Sequence, residues 1–203
     1  QGVGFKCCLP KTAWPPTSFC VKNLSLKIYD DLKKIFPDNP LLDFENAHTL
    51  IEASALLHDI GTFFGGVTAL KPHNKTGAKL VFENKIDGFE ENELKVVCAS
   101  IRYHRGSKPK EGKHRLFSSL EQKDKNKVLI ISSILRLSDA LDKLHMQSVR
   151  DIILTYDFDS SALTLNPGIN IMFNRGIKRV FNKKKTLFEE VFKLKICLKN
   201  DRF

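Results

Sequence analysis

Apolar residues recur every three or four positions along the first two thirds of the chain, a spacing that predicts amphipathic helices. The first helix is predicted to start at residues 15–18 (PPTS), where a proline stop precedes two good N-cap residues. Its apolar face consists of Val21, Leu24, Ile28, Leu32 and Ile35. Further helices are predicted from Asp43 to about residue 60, over 74–83, over 90–103 and over 124–145. The last of these is apolar on two faces, so we expect it to lie buried at the centre of a helical bundle.

The pattern changes after Val149, where short apolar runs alternate with turn residues. Strands are predicted over 152–156, 162–165, 169–173 and 195–198, with a helix around 187–192. The predicted fold class is therefore mainly α, with a helical domain over 17–147 and a small C-terminal α+β appendage over 148–203. Residues 1–16 carry Gly, Pro and paired Cys without a period, and they are predicted to lead in from an upstream module.

One histidine and two acidic residues stand where burial is predicted. His58 and Asp59 are adjacent at the end of the second apolar helix, and Asp139 lies inside the two-faced helix. A buried carboxylate costs free energy unless it is paired or ligates a cation. Because imidazole and carboxylate groups suit divalent metals, these residues predict an HD-type helical bundle with a metal site of the phosphohydrolase kind. The alternative is structural, with His58 and Asp59 hydrogen-bonded to each other and to Arg136 or a helix end, and Asp139 paired with a Lys or Arg.

Basic residues outnumber acidic ones by 33 to 23, and the net charge of +10 favours a polyanionic partner. The candidate contacts near the end of the fourth predicted helix are Arg102, His104, Arg105, Lys108 and Lys110. Arg and Lys groups suit phosphate oxygens, so these residues are predicted to bind substrate. The alternative is helix capping and a solvated loop. A later basic run between residues 175 and 185 is predicted to be a solvated helix face.

Cysteine spacing, apolar runs and aromatic content indicate which cellular compartment and which classes of partner to expect. The five cysteines show no Cys-x-x-Cys spacing, which favours reduced thiols and a cytoplasmic protein. No apolar run approaches the ~20 residues of a membrane span, so no membrane partner is expected. Few Tyr and Trp residues and no zinc-finger spacing make nucleic acid an unfavoured partner. The histidines predicted to lie at the surface or to be hydrogen-bonded are His48, His73, His114 and His145.

Five segments resemble, in order, those of the exopolyphosphatase/guanosine-pentaphosphate phosphohydrolase (Ppx/GppA) family. Residues 50–61 (LIEASALLHDIG) are similar to the family's LLEAAALLHDIG segment. The other four are 87–89 (DGF), 102–105 (RYHR), 135–142 (LRLSDALD) and 187–192 (LFEEVF). Residues 2–6 (GVGFK) resemble the tail of the catalytic module that precedes this domain. The resemblance covers about residues 17–195 and identifies the chain as the family's C-terminal, HD-like domain.

The resemblance implies a role in phosphoanhydride hydrolysis. Enzymes of this family remove terminal phosphate from polyphosphate or from guanosine pentaphosphate (pppGpp), and the full-length enzyme uses Mg²⁺. Their catalytic residues lie in an N-terminal actin-like module, so no catalytic residue is assigned within this chain. The C-terminal domain is implied to bind the polyphosphate chain and to support a homodimer.

The chain departs from the family pattern at two positions. An intact HD metal site takes a further His from the start of the first helix, where this chain has Thr17. A family segment with two His keeps only the first here, and Thr76 stands near the place of the second. The remaining ligand candidates are His58, Asp59, Asp139 and His73. This short set favours a degenerate site, and the alternative function is a self-sufficient HD-type, metal-dependent phosphohydrolase acting on a nucleotide.

Overall fold

The computed structural model describes residues 16–64, 72–143, 152–167 and 175–199. The helices are α1 (Pro16–Ile35), α2 (Ala47–Leu57), α3 (Gly61–Phe64), α4 (His73–Asn84), α5 (Glu91–Tyr103), α6 (Arg115–Ser118), α7 (Gln122–Leu141), α8 (Arg175–Lys184) and α9 (Thr186–Phe192). The strands are β1 (Ile153–Asp157), β2 (Ala162–Asn166) and β3 (Lys195–Leu198). A mainly helical fold with a small C-terminal sheet confirms the predicted fold class. Within the described ranges, no helix is both long enough and apolar enough to cross a membrane.

Helix α7 occupies the centre of the bundle. It contacts α1, α2, α5, α8 and α9. Both of its predicted apolar faces are buried, with Ile131 and Leu135 on one and Ile134 and Leu137 on the other. A polar side chain on such a helix must therefore find its partner within the protein.

The second helix starts later than predicted. A 3₁₀ turn capped by Asn39 occupies Pro40–Leu42, and Asp43 closes this turn instead of opening α2. Helix α2 begins at Ala47, after Asn46, whose φ of 56° is left-handed. The proline that fixes φ at the start of the 3₁₀ turn explains why the chain turns here before the helix begins.

The C-terminal sheet shares the hydrophobic core of the helices. Strands β1 and β2 form an antiparallel hairpin, whereas β2 and β3 pair in parallel. Parallel neighbours require a crossover, and α8 and α9 lie on it and pack against α7. The predicted strand over 169–173 and His145 lie outside the described residues. The predicted division of the chain near residue 147 stays a prediction.

Candidate functional site

The end of α2 positions His58 and Asp59. The helix stops at Leu57, and residues 58–60 form a turn before α3. His58 is buried, and its Nδ1 lies 2.7 Å from the carbonyl oxygen of Ala55. Because a carbonyl oxygen only accepts, Nδ1 carries the proton, and Nε2 lies 3.4 Å from Asp59 Oδ2. The two adjacent side chains can approach each other because α2 ends at Leu57, before both of them.

Close packing of α3 against α4 brings His73 to Asp59. A Cβ atom at Gly61 would lie 2.1 Å from the carbonyl oxygen of His73 and 2.6 Å from the backbone nitrogen of Gly77, so only glycine fits. His73 Nε2 lies 3.0 Å from Asp59 Oδ1. Arg105 Nη1 lies 3.1 Å from the same imidazole nitrogen. Gly61 therefore contributes by allowing the two helices to approach closely.

The end of α5 supplies His104, whose side chain is 1% exposed. Its Nδ1 lies 2.7 Å from the carbonyl oxygen of Ile101, which leaves Nε2 without a proton in the neutral ring. Nε2 has no hydrogen-bond partner in the described part of the chain and lies 3.6 Å from Asp59 Oδ1. Two atoms that both present lone pairs at this distance favour a proton or a cation between them.

Asp59, His73 and His104 form a compact group, here called the trio. One ligand atom from each lies within 4.8 Å of the other two, as metal ligands must. The ring of His58 meets that of His104 edge to face, with the centroids 5.2 Å apart. Of the metal-ligand candidates predicted from the sequence, Asp59 and His73 belong to the trio and His58 flanks it.

The sequence also predicts other roles for His73 and His104. His73 was predicted among the surface or hydrogen-bonded histidines, and its only sequence signal as a ligand was the family segment. His104 was predicted as a phosphate contact, and the structure places it in the interior beside Asp59. A histidine at the last turn of a buried helix was the signal that could have suggested a ligand at residue 104.

The protonation states of Asp59 and His104 favour binding of a cation by the trio. Burial opposes ionisation of Asp59, but hydrogen bonds from His58 and His73 and nearby imidazole charge hold its pKa well below the usual value. Burial, together with the charge of His58, lowers the pKa of His104 to about 3, so His104 is neutral at pH 7. For His58, burial is outweighed by Asp59, and the pKa is raised. Ionised carboxylate and neutral imidazole are the forms that bind metals.

The donor set of the trio fits a divalent transition metal. Two imidazole nitrogens and one carboxylate oxygen favour such an ion over Mg²⁺, which prefers oxygen ligands. The buried Nε2 of His104, which has no hydrogen-bond partner among the described residues, supports this fit, because a bound cation would satisfy it. Asp59, His73 and His104 would hold the ion, and its chemistry there would be the activation of a water molecule.

Asp139, the third predicted metal ligand, lies outside the trio. It forms an ion pair with Lys184, the last residue of α8, and the two side chains are 17% and 19% exposed. Burial raises the pKa of Asp139, but the charge of Lys184, the nearby imidazoles of His104 and His58 and the hydrogen bond from Lys184 outweigh burial and lower it. Pairing with a lysine is the structural alternative that the sequence left open. The prediction of a solvated face is wrong for Lys184.

A cleft of about 540 Å³, here called the cationic cleft, opens beside Asp59 and His73. The cations that line it are Arg105, Arg136, Lys143, Lys183 and Lys184. No carboxylate within the described ranges pairs with Lys143 or Lys183. Positive groups from three different parts of the chain therefore face one cavity.

Arg136 is the buried cation of this cleft. Its guanidinium donates to the carbonyl oxygens of Tyr103, Gly106 and Ser107 at 2.8, 3.0 and 3.1 Å. Burial lowers the pKa of Arg136 to about 10, against an opposing effect of Glu190. The side chain stays charged at neutral pH and holds the loop that follows α5.

The five predicted phosphate contacts divide between surfaces. Arg105 lines the cationic cleft, whereas His104 belongs to the trio. Lys108 pairs with a glutamate of α9, and Lys108 and Lys110 line a separate groove beside α7 and α9. The guanidinium of Arg102 lies 6.0 Å from the ring centre of the next residue. These five side chains therefore do not form one site, although they are close in sequence.

Comparison with known families matches residues 17–190 to the family described as Ppx/GppA phosphatase, domain III. We found no match to the chain among curated proteins. The matched range runs from α1 into α9 and contains the trio and every cation of the cleft. The chain therefore belongs to the Ppx/GppA phosphatase family and corresponds to its domain III.

Proposed function

We propose that this chain binds the linked phosphate groups of the substrate for a Ppx/GppA phosphatase, with polyphosphate or pppGpp as that substrate. In this proposal hydrolysis takes place in the family's Mg²⁺-dependent catalytic module, while domain III holds the phosphate chain and supports a homodimer. The cationic cleft is the observation that carries the proposal.

Phosphate oxygens need donors whose charge is not already neutralised. Lys143 and Lys183 meet this condition among the described residues, and Arg105 contacts an imidazole rather than a carboxylate. The carboxylates of the cleft are compensated, Asp59 by imidazoles and Asp139 by a lysine. A cavity lined mainly by one sign of charge concentrates counter-ions, and linked phosphates gain most because one chain meets several cations.

Charge reversal tests whether the cleft is the binding surface. We expect Lys183→Glu to weaken binding of fluorescent polyphosphate by about tenfold, because it reverses one cation of the cleft. The matched control is Lys34→Glu, which makes the same change of net charge at an exposed position of α1. Fluorescence anisotropy should show less than about a twofold effect for the control. Equal losses in both variants would mean that the cleft is not the site.

Dimerisation is tested separately. Sedimentation equilibrium of the 23.1 kDa chain should give a single species of twice that mass. A monomer at all concentrations would remove dimer support from the proposal and leave phosphate binding unaffected.

The trio favours a second function, hydrolysis of a nucleotide phosphoanhydride by this domain with its own metal ion. Its donors suit a metal that activates water, and two of them, Asp59 and His73, line the cationic cleft, where a phosphate group would be held. This juxtaposition of a candidate metal centre with phosphate-binding cations is what distinguishes the second function from the first.

Phosphate release by the chain alone tests the second function. With Mn²⁺ or Zn²⁺, we expect release of phosphate from pppGpp or polyphosphate, and loss of that release in Asp59→Asn. Asp43→Asn is the matched control, because Asp43 is 86% exposed and should leave the rate unchanged. Polyphosphate binding without any metal-dependent release would support the first function and exclude the second.

A further inference from the structure

The position of Lys184 is set by the period of α8. Ile177 and Phe181 are buried against the core, and Lys184 follows Phe181 by three residues, which places it on the same helix face. Lys183 lies one position away from that face and lines the cleft. Packing of α8 against α7 therefore holds the ammonium group of Lys184 against Asp139.

Asp139 is the second carboxylate that lines the cleft beside the trio. It lines the same cleft as Asp59 and His73. An ammonium group supplies one positive charge and three donors, so Lys184 compensates the carboxylate in the way that a metal ion would. The half-buried pair is thereby satisfied without any metal.

We propose that Lys184 is a built-in cation that occupies the Asp139 side of the site, so that the trio binds one divalent metal ion and Asp139 is withheld from it. This inference rests on the second proposed function, through the metal affinity of the trio, and not on phosphate-chain binding. Lys184 acts here as a positioning residue. Without its charge, the Asp139 carboxylate would attract a divalent ion beside the trio.

Titration with Co²⁺, followed by its visible absorbance, tests the inference in the chelator-treated 203-residue chain. We expect Lys184→Met to bind Co²⁺ about tenfold more tightly than the wild type, or to bind one further equivalent. Lys183→Met is the matched control, since it removes the same charge from the same cleft without breaking the ion pair, and it should stay within about twofold of the wild type. The double variant Lys184→Met/Asp139→Asn should return to wild-type binding, because the freed carboxylate is gone.

Each result decides between the proposals. If the wild type binds Co²⁺ and Lys184→Met binds it no better, the inference fails while the metal-binding trio stands. An equal gain in Lys183→Met, or a gain that persists in the double variant, also overturns it, since the effect would then be general cleft charge. If neither the wild type nor Lys184→Met binds Co²⁺, the inference and the second function fail together. Binding of Co²⁺ by Lys184→Met alone would also overturn the inference, since the trio of the wild type would then hold no metal ion.

Discussion

Arg136 is the residue on which the geometry beside the cleft depends most directly. Replacing it by Met would leave the carbonyl oxygens of Tyr103, Gly106 and Ser107 without their donor. Buried acceptors that lose a charged partner destabilise a fold, so we expect Arg136→Met to lower the free energy of unfolding by about 2–4 kcal/mol. Urea denaturation measures this change.

Arg115→Met is the control for Arg136→Met, because Arg115 is an exposed arginine on α6. Its replacement should change the free energy of unfolding by no more than about 0.5 kcal/mol. If both variants were equally stable, the three carbonyl contacts of Arg136 would contribute nothing measurable.

Tyr29 predicts how stability depends on alkaline pH. The side chain is 1% exposed, its hydroxyl donates to the carbonyl oxygen of Leu42 at 2.6 Å, and burial, with Asp43 and Asp30, raises its pKa to about 12. Tyr29 ionises near pH 10 in the unfolded chain, at a lower pH than in the folded chain. Its contribution to the free energy of unfolding therefore falls as pH rises from about 10 to about 12, by at most about 1.4 kcal/mol per pH unit.

Tyr29→Phe removes this titration and serves as the reference. At pH 8 the wild type should be more stable by about 1 kcal/mol, because it keeps the hydrogen bond. The difference in free energy of unfolding should shrink as pH rises past 10, while the titration of lysines cancels between the two proteins. A difference that stayed constant to pH 11 would contradict the raised pKa.

The sequence predicts Asp59 with His58, and the family segment adds His73, but it does not predict that His104 lies beside the same carboxylate. The neighbour His58 and the end of an apolar helix mark the position of Asp59 locally. His73 lies at the start of α4 and His104 at the end of α5. Both lie near the same carboxylate, and only tertiary packing, including the Gly61 contact, sets their separation. The partner of Asp139 lies 45 residues away, on a helix whose basic composition predicted solvent exposure.

At the scale of elements, α8 is one of the two helices that pack the C-terminal part against α7. Phe181 is fully buried at the packed face of this helix. Phe181→Ala would leave a cavity, and we expect it to lower the free energy of unfolding by about 3–5 kcal/mol. Phe158, which is 83% exposed, is the matched control, and Phe158→Ala should cost less than about 1 kcal/mol. Equal costs in thermal or urea unfolding would mean that α8 is not part of the common core.

Long elements were predictable because their period repeats over several turns. The predicted helices over 74–83 and 90–103 match α4 and α5, and the two-faced helix is the central α7. The four-residue helices α3 and α6 have no period to detect, and the start of α2 depends on a 3₁₀ turn capped by Asn39. The parallel pairing of β2 with β3 also lies beyond a local pattern, because the crossover between them decides it.

At the scale of the whole molecule, the charge excess is unevenly distributed. Many lysines pair with a carboxylate one helical turn away, as Lys27 does with Asp31 and Lys95 with Glu91. Such pairs add little to the field at a distance. The cations that line the cleft without a carboxylate partner within the described residues contribute more of the positive potential that a polyanion meets.

This distribution predicts both the salt dependence and the selectivity of binding. If about three cations contact phosphates, raising NaCl from 50 to 200 mM should weaken polyphosphate binding about 10–50-fold, by analogy with single-stranded nucleic acids, where each contact contributes a slope of about 0.7. Lys183→Met should reduce that slope, whereas Lys34→Met should not, because Lys34 lies outside the cleft.

A cleft of about 540 Å³ admits a single phosphate chain but not a duplex, so double-stranded DNA at equal phosphate concentration should displace little polyphosphate. Competition anisotropy at physiological salt measures this, and displacement by DNA as effective as by unlabelled polyphosphate would mean that the general surface charge, rather than the cleft, recognises the ligand.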